Sequence, residues 1–328
     1  MIKSKVESLV TLIIPSKIID SNLKFCIKKI RFFYKKIKII IILDKFHKKK
    51  LGKNITTITC KSKTIGFKRN LGVKLAKTPL VGFIDSDAYP GNKWLNFISH
   101  SFQKNKNISV VGGPNISPKT NDIEKKLVGN VKKLFFVTLD PRVKYKSNLE
   151  YFTSYLPSVN LVVKKKIFNK LKGMNDKVNT GEDTLFMQLL NKKKIKVFFN
   201  GKAYIYHKDR NFKHFFRQRI VYGSDIIKLI FISPNIKSFL SLLALLPFSY
   251  VLIGPIIFLY SKVIFKLYLL GLLFLILFSI FYSFKICIKG KIFKSIKLIL
   301  ISIFGPGIGF FSSLLISSKN LRKLYTQK

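Results

Sequence analysis

Acids are scarce in this sequence, so their positions carry information: 14 Asp and Glu stand against 61 Lys and Arg in 328 residues. Asp85-Ser86-Asp87 follows directly on the apolar run Leu80–Ile84. Two carboxylates one residue apart at a strand's end can reach one divalent cation, or the pair is simply an acidic loop. Mg²⁺ and Mn²⁺ are commonly held in this way, by few carboxylates together with substrate phosphates. Asp44 stands at the same place after Ile37–Leu43, where it either caps the next turn or hydrogen-bonds to a nucleoside. Gly181-Glu182-Asp183 precedes Thr184–Leu190, a helix with Leu185 and Leu189 on one side. The helix dipole stabilises carboxylates in a first turn by about 0.3–1 kcal/mol. That suffices for one of the pair, and the other could serve as a general base toward a hydroxyl. His207 ends the alternating stretch Ala203–Tyr206, as a structural residue or a ligand. Arg217-Gln218-Arg219 offers guanidinium groups for a diphosphate, or for snorkelling beside a membrane.

Strands and helices must bring these groups together. Val10–Ile14, Ile37–Leu43 and Leu80–Ile84 are continuous, β-branched apolar runs, the pattern of strands buried on both faces of a parallel sheet. Between the first two, Ser21–Lys35 carries Leu23, Ile27, Ile30 and Tyr34 at near-helical spacing. Strand, helix, strand implies a right-handed crossover and an α/β sheet, with a nucleotide site at the carboxyl ends of the strands. No internal repeat is apparent.

Composition excludes several classes. With 48% apolar and 14% aromatic residues the chain is no disordered tail. Cys26, Cys60 and Cys287 are isolated, with no CxxC and no metal-like spacing, which argues against a disulfide framework or zinc site and for a reducing compartment. The net charge of +47 comes almost wholly from lysines spread along the chain. It reads as attraction to an anionic surface or as compositional bias, and does not by itself make a nucleic-acid binder.

The texture changes after residue 237. Residues 239–260, 267–284 and 298–318 contain no charged side chain. A hydrocarbon core of roughly 30 Å takes about 20 helical residues. The first and third stretches suffice and the second is borderline. Gly305-Pro306-Gly307-Ile308-Gly309 inside the third stretch implies a kinked span or a re-entrant hairpin. The apolar run Leu9–Ile14 is too short for a signal peptide, so residues 1–237 are expected in the cytoplasm. The Lys-rich loop 285–297 then falls inside, as positive residues prefer. A full third span would put Lys319, Arg322, Lys323 and Lys328 outside, and a re-entrant one would not.

Taken in order, these pieces resemble the family 2 glycosyltransferases with the GT-A fold, from Val10 to about Gly223. The resemblance rests on Val10–Pro15, Asp44, Lys68-Arg69-Asn70-Leu71-Gly72, Leu80–Asp87 with Trp94-Leu95, and Val111–Pro114. The Asn160 segment running into Lys172-Gly173, then Gly181-Glu182-Asp183 and His207, complete it. It implies a Rossmann-like nucleotide-diphospho-sugar transferase domain over residues 1–237, followed by a membrane domain over 238–328. It further implies inverting sugar transfer from a nucleotide-sugar donor with Mn²⁺ or Mg²⁺. Pro15, Asp44, Arg69 and Asp85 would bind the donor, and Asp85, Asp87 and His207 the metal. Asp183 would be the general base and Glu182 its neighbour toward the acceptor, while Arg217 and Arg219 stay candidates for the diphosphate on their own residue types.

Two departures stand out. Asp44 is followed by Lys45-Phe46-His47 where the family often has a second acid with Gly-Ser. Gln218-Arg219-Ile220-Val221-Tyr222 replaces the Gln-x-x-Arg-Trp of processive synthases, which argues against polymer extrusion. The expected acceptor is a lipid-linked glycan at the inner or plasma membrane, for cell-surface glycan synthesis, with no nucleic-acid partner. Polyprenyl phosphate itself is the alternative acceptor, and a membrane-tethered polyanion binder the alternative of another class.

Overall fold

The computed structural model describes residues 6–316 except 49, 62, 63, 139, 179 and 235–238. Contacts divide the chain into two compact units, Met1–Pro118 with Arg142–Lys208, and Lys119–Pro141 with Asp209–Lys328. The boundary expected after residue 237 falls among residues outside the description.

The first unit opens with β1 (Val10–Pro15), α1 (Ser21–Phe33), β2 (Lys38–Leu43), β3 (Ile55–Thr59) and α2 (Ile65–Leu75). There follow β4 (Leu80–Phe83), β5 (Ala88–Pro90), α3 (Trp94–Lys104), β6 (Val110–Gly112) and β7 (Asn115–Ile116). The chain then enters the second unit with α4 (Ile123–Val131). It returns for β8 (Glu150–Thr153), β9 (Leu161–Lys164), α5 (Lys165–Lys170), α6 (Glu182–Lys192), β10 (Val197–Asn200) and β11 (Ile205–His207).

Eight strands form one sheet in the order β3-β2-β1-β4-β9-β6-β10-β8. β1 lies parallel to both β2 and β4, as the three apolar runs imply, while β9 runs antiparallel to β4 and β6. Every residue of β1 is buried. α1 starts where the Asp20 side chain accepts the N–H of Leu23, and buries Leu23, Cys26, Ile27 and Ile30. A separate three-stranded sheet, β5-β11-β7, lies within the same unit.

The second unit continues through α7 (Phe212–Ile232), α8 (Leu246–Tyr260), α9 (Lys262–Ile286) and α10 (Ile292–Leu315). Ser241–Tyr260, Lys262–Ile286 and Ile292–Leu315 are long and apolar enough to cross a membrane. They match the expected stretches, except that residues 317–328, with the four basic residues named above, lie outside the described residues. The Gly305–Gly309 run sits inside an unbroken α10 rather than a hairpin.

α10 is also far more enclosed than its companions, with 44% of its apolar window buried against 11% for each of the others. Its cover is largely α7. At their crossing a Cβ on Gly223 would stand 1.9 Å from the Pro306 carbonyl oxygen, so only glycine permits this approach. Pro306 has no N–H to give the carbonyl four residues earlier, that of Ser302. Buried Arg219 supplies the missing donor: its Nη2 lies 3.2 Å from the Ser302 oxygen.

Candidate active site

Sheet register sets the geometry. Pro15 pairs with Ile42 and Ile13 with Phe83, so β1, β2 and β4 end at one edge. Pro15, Asp44 and Asp85 therefore leave the sheet together.

α2 brings two cations to this edge, and each residue of its motif has a physical task. Gly72 lets the helix touch β1, since a Cβ there would lie 2.4 Å from Ile13 Cγ2. Asn70 exchanges two hydrogen bonds with the backbone of Met174, at 2.8 and 2.9 Å. Lys68 reaches Asp44 Oδ1 at 2.6 Å and donates to the Ser16 carbonyl at 2.8 Å. Arg69, only 1% exposed, forks between Glu182 Oε1 (2.6 Å) and Asp85 Oδ1 (2.9 Å). The guanidinium expected to face the donor's base or phosphates is thus enclosed in protein, where it ties the Asp85 strand end to the start of α6.

His207 owes its place to the small sheet. β11 pairs antiparallel with β5, His207 opposite Ala88, which brings the imidazole beside Asp87. His207 Nε2 lies 3.2 Å from Asp87 Oδ1. One ligand atom from each of Asp85, Asp87 and His207 falls within 4.8 Å of the other two. Ligand atoms around a common ion at about 2.1 Å stand at most about 4.2 Å apart, so a small side-chain adjustment closes the set. Two carboxylates and an imidazole, all partly accessible, fit Mn²⁺ or Mg²⁺ completed by substrate oxygens.

Asp183 lies in the first turn of α6, next to buried Glu182. Its Oδ1 accepts the Thr184 N–H at 2.8 Å, and its Oδ2 accepts from Ser158 Oγ at 3.3 Å and Ser158 N at 3.4 Å. Ser158 belongs to a single turn, Ser158–Asn160, anchored by fully buried Asn160. That side chain accepts from Trp94 Nε1 at 2.8 Å and donates to the carbonyls of Pro114 and Ala203.

Of the chain's 14 acids, Asp44, Asp85 and Glu182 pair with Lys68 and Arg69, Asp183 adds its charge beside Arg69, and Asp87 faces His207. One guanidinium cannot neutralise three carboxylates. Burial and the adjacent Asp183 push the Glu182 carboxyl up to about 7, with Arg69 offsetting only part of that. Burial alone would weaken the Arg69 cation, but Asp85, Glu182 and Asp183 more than compensate and raise its pKa. Burial raises the Cys26 thiol well above its ordinary range, so this neighbour of Asp85 stays a neutral packing residue.

The structure therefore brings together Asp85, Asp87 and His207, joins Asp85 to Glu182 through Arg69, and sets Asp183 at the same helix start. Arg217 and Arg219 belong to the second unit, the latter turned into the seam between α7 and α10. Sequence reasoning missed Lys68 and Ser158.

An α/β sheet thus carries acids at its carboxyl edge, and a candidate metal set lies between that edge and the adjoining small sheet. The chain belongs to glycosyltransferase family 2: the model of "Glycosyl transferase family group 2" matches residues 80–311, more than two thirds of its length. Its fold class is a GT-A type α/β domain followed by apolar helices of membrane-spanning length. It is a transferase, which sets the polyanion-binder alternative aside. No curated protein matches the chain. Among solved structures it is similar to S. aureus TarS 1–349 at 13% identity and TM-score 0.43, over 66% of this chain and 65% of that one. The same protein in complex with UDP-GlcNAc gives 14%, TM-score 0.45 and 66% of each chain. The longer TarS structure gives 14% and 0.43, with 39% of its length covered. The chain thus spans just under two thirds of TarS 1–349.

Proposed function

We propose that this protein transfers a sugar, with inversion, from a nucleotide-sugar donor to a lipid-linked acceptor at the inner or plasma membrane. Its first unit acts on the cytoplasmic side, in the synthesis of a cell-surface glycan. The Arg69 fork is the observation that carries the reading, because it fixes the Asp85 carboxylate and the start of α6 in one frame. A candidate metal set and a candidate base are thereby held at a set spacing, as a displacement at one carbon requires.

Asp85, Asp87 and His207 would hold Mn²⁺ or Mg²⁺, which would supply positive charge against the departing nucleoside diphosphate. Pro15 and Asp44, the latter braced by Lys68, line the nucleoside side of the site. Asp183 takes the proton of the acceptor hydroxyl through the carboxylate edge that Ser158 orients. One in-line displacement then forms the new glycosidic bond and breaks the bond to the diphosphate, with no covalent enzyme intermediate. Glu182 keeps Arg69 in place rather than meeting the acceptor.

Transfer by Asp183→Asn tests the reading. Removal of a general base costs about 10²–10⁴ in rate. A drop of that size with the fold intact is expected, and undiminished transfer would remove Asp183 from its role. A product joined by a phosphodiester instead of a glycosidic bond would identify polyprenyl phosphate as the acceptor.

A further inference from the structure

The excursion Lys119–Pro141 interrupts the first unit in sequence yet packs entirely with the apolar helices of the second. Three polar links hold it there. Glu124 Oε2 accepts the Phe212 N–H at 2.9 Å, Lys132 pairs with Asp209 at 2.9 Å, and Asn130 Nδ2 donates to the Ile286 carbonyl at the end of α9. Leu127, Val128, Val131 and Leu134 are buried in the same cluster as Ile286, Leu298, Ile299 and Ile303.

Beyond Lys132 and Lys133 the chain reads Leu134-Phe135-Phe136-Val137. Phe136 meets Tyr282 edge-to-face at 5.0 Å and Phe278 at a tilt at 5.4 Å between ring centres. Phe278 stands eight residues before the end of α9, about 12 Å along the helix axis. With α9 as a span, that depth lies within hydrocarbon. Phe135 meets Tyr282 and Phe136 in edge-to-face contacts at 6.3 and 5.5 Å between ring centres, yet remains 60% exposed, and many apolar side chains of α9 are exposed in part as well. Lys285, over the Tyr282 ring, marks the end of α9 where a cation returns to the headgroups.

We propose that residues 134–137 enter the bilayer beside α9 as a second, monotopic membrane contact, with Phe135 against lipid acyl chains. The inference rests on α9 being a membrane span and adds a contact that no apolar stretch of the sequence announces. The continuity of Phe135 with the exposed face of α9 selects lipid as occupant, over a second copy of the chain or another protein.

The test is Phe135→Trp in the full-length protein, reconstituted in nanodiscs of ordinary or acyl-brominated lipid. The native Trp94 is alone of its kind and buried in the first unit, so it gives a steady background. Leu273→Trp, on the exposed face of α9, reports the span itself. The expected result is that brominated lipid removes most of the added emission from both variants and leaves the wild type unchanged. Quenching of Leu273→Trp alone would overturn the proposal, with blue-shifted emission at 135 indicating a protein partner and red-shifted emission water. Absence of quenching in both variants would overturn the span and this contact together.

Discussion

Arg69 serves carboxylates from two elements with one guanidinium, and that arithmetic governs the residue scale. Lysine keeps the charge but lacks the planar fork whose two separate nitrogens fit Glu182 and Asp85 here, so it matches this pair poorly. Arg69→Lys should therefore fold and lose activity by about 10–100-fold, the range for groups that orient a metal site from behind. Unchanged activity would mean that the fork is not needed. The proton on Glu182 gives a second check. Its carboxyl titrates near 7 in the fold against an ordinary 4.5, so the folded state binds more protons between those values. Its contribution to stability should be fully present below about pH 4.5 and decline as pH rises through 7. Melting temperatures across that interval should fall in the wild type and flatten in Glu182→Gln. Asp85 and Asp87 were legible in the sequence because an apolar strand ends just before them in an acid-poor chain. Lys68 was not: one lysine among so many shows its task only when Asp44 and Ser16 are seen beside it.

At the element scale, the seam of α7 and α10 replaces a helical hydrogen bond with a side chain. Arg219→Met keeps the packing and leaves the Ser302 carbonyl without a donor, at a cost of about 1–3 kcal/mol. Pro306→Ala restores a backbone N–H four residues on, so the same substitution in that background should cost much less. Thermal denaturation of the two single variants and the double variant measures the coupling, and strict additivity would sink the explanation. The buried strands β1, β2 and β4 were readable from their unbroken apolar runs, and α1 from its spacing. β3, with the half-buried pattern of Ile55–Thr59, and the antiparallel β9 were not singled out, since pairing partners far along the chain define them. The glycine-proline run was legible as a special feature. Its form was not, because an arginine more than eighty residues earlier accommodates the proline.

For the whole molecule, a net charge of +47 contrasts with a first unit that holds Asp44, Asp85, Asp87, Glu182 and Asp183, a contrast suited to a divalent cation and an anionic donor. If the first unit is cytoplasmic, as proposed, and α8 and α9 both span, the turn between α9 and α10 would return to the cytoplasmic face. A cysteine placed at exposed Lys289 should react with an impermeant maleimide on the same side of oriented vesicles as one placed at exposed Lys106. Labelling from opposite sides would contradict that topology. The apolar helices were evident from composition, whereas the partnership of Lys119–Pro141 with them was hidden, because a nine-residue helix with paired lysines resembles any surface helix.

In the proposed reaction, Asp85 and Asp87 meet an activated sugar through a cation while Asp183 stands ready for the acceptor. Calorimetric titration of nucleotide sugars with and without Mn²⁺ separates these roles. Asp87→Asn should lose the metal-dependent part of donor binding, and Asp183→Asn should retain it. Donor binding by Asp87→Asn with undiminished affinity and metal dependence would contradict the assignment.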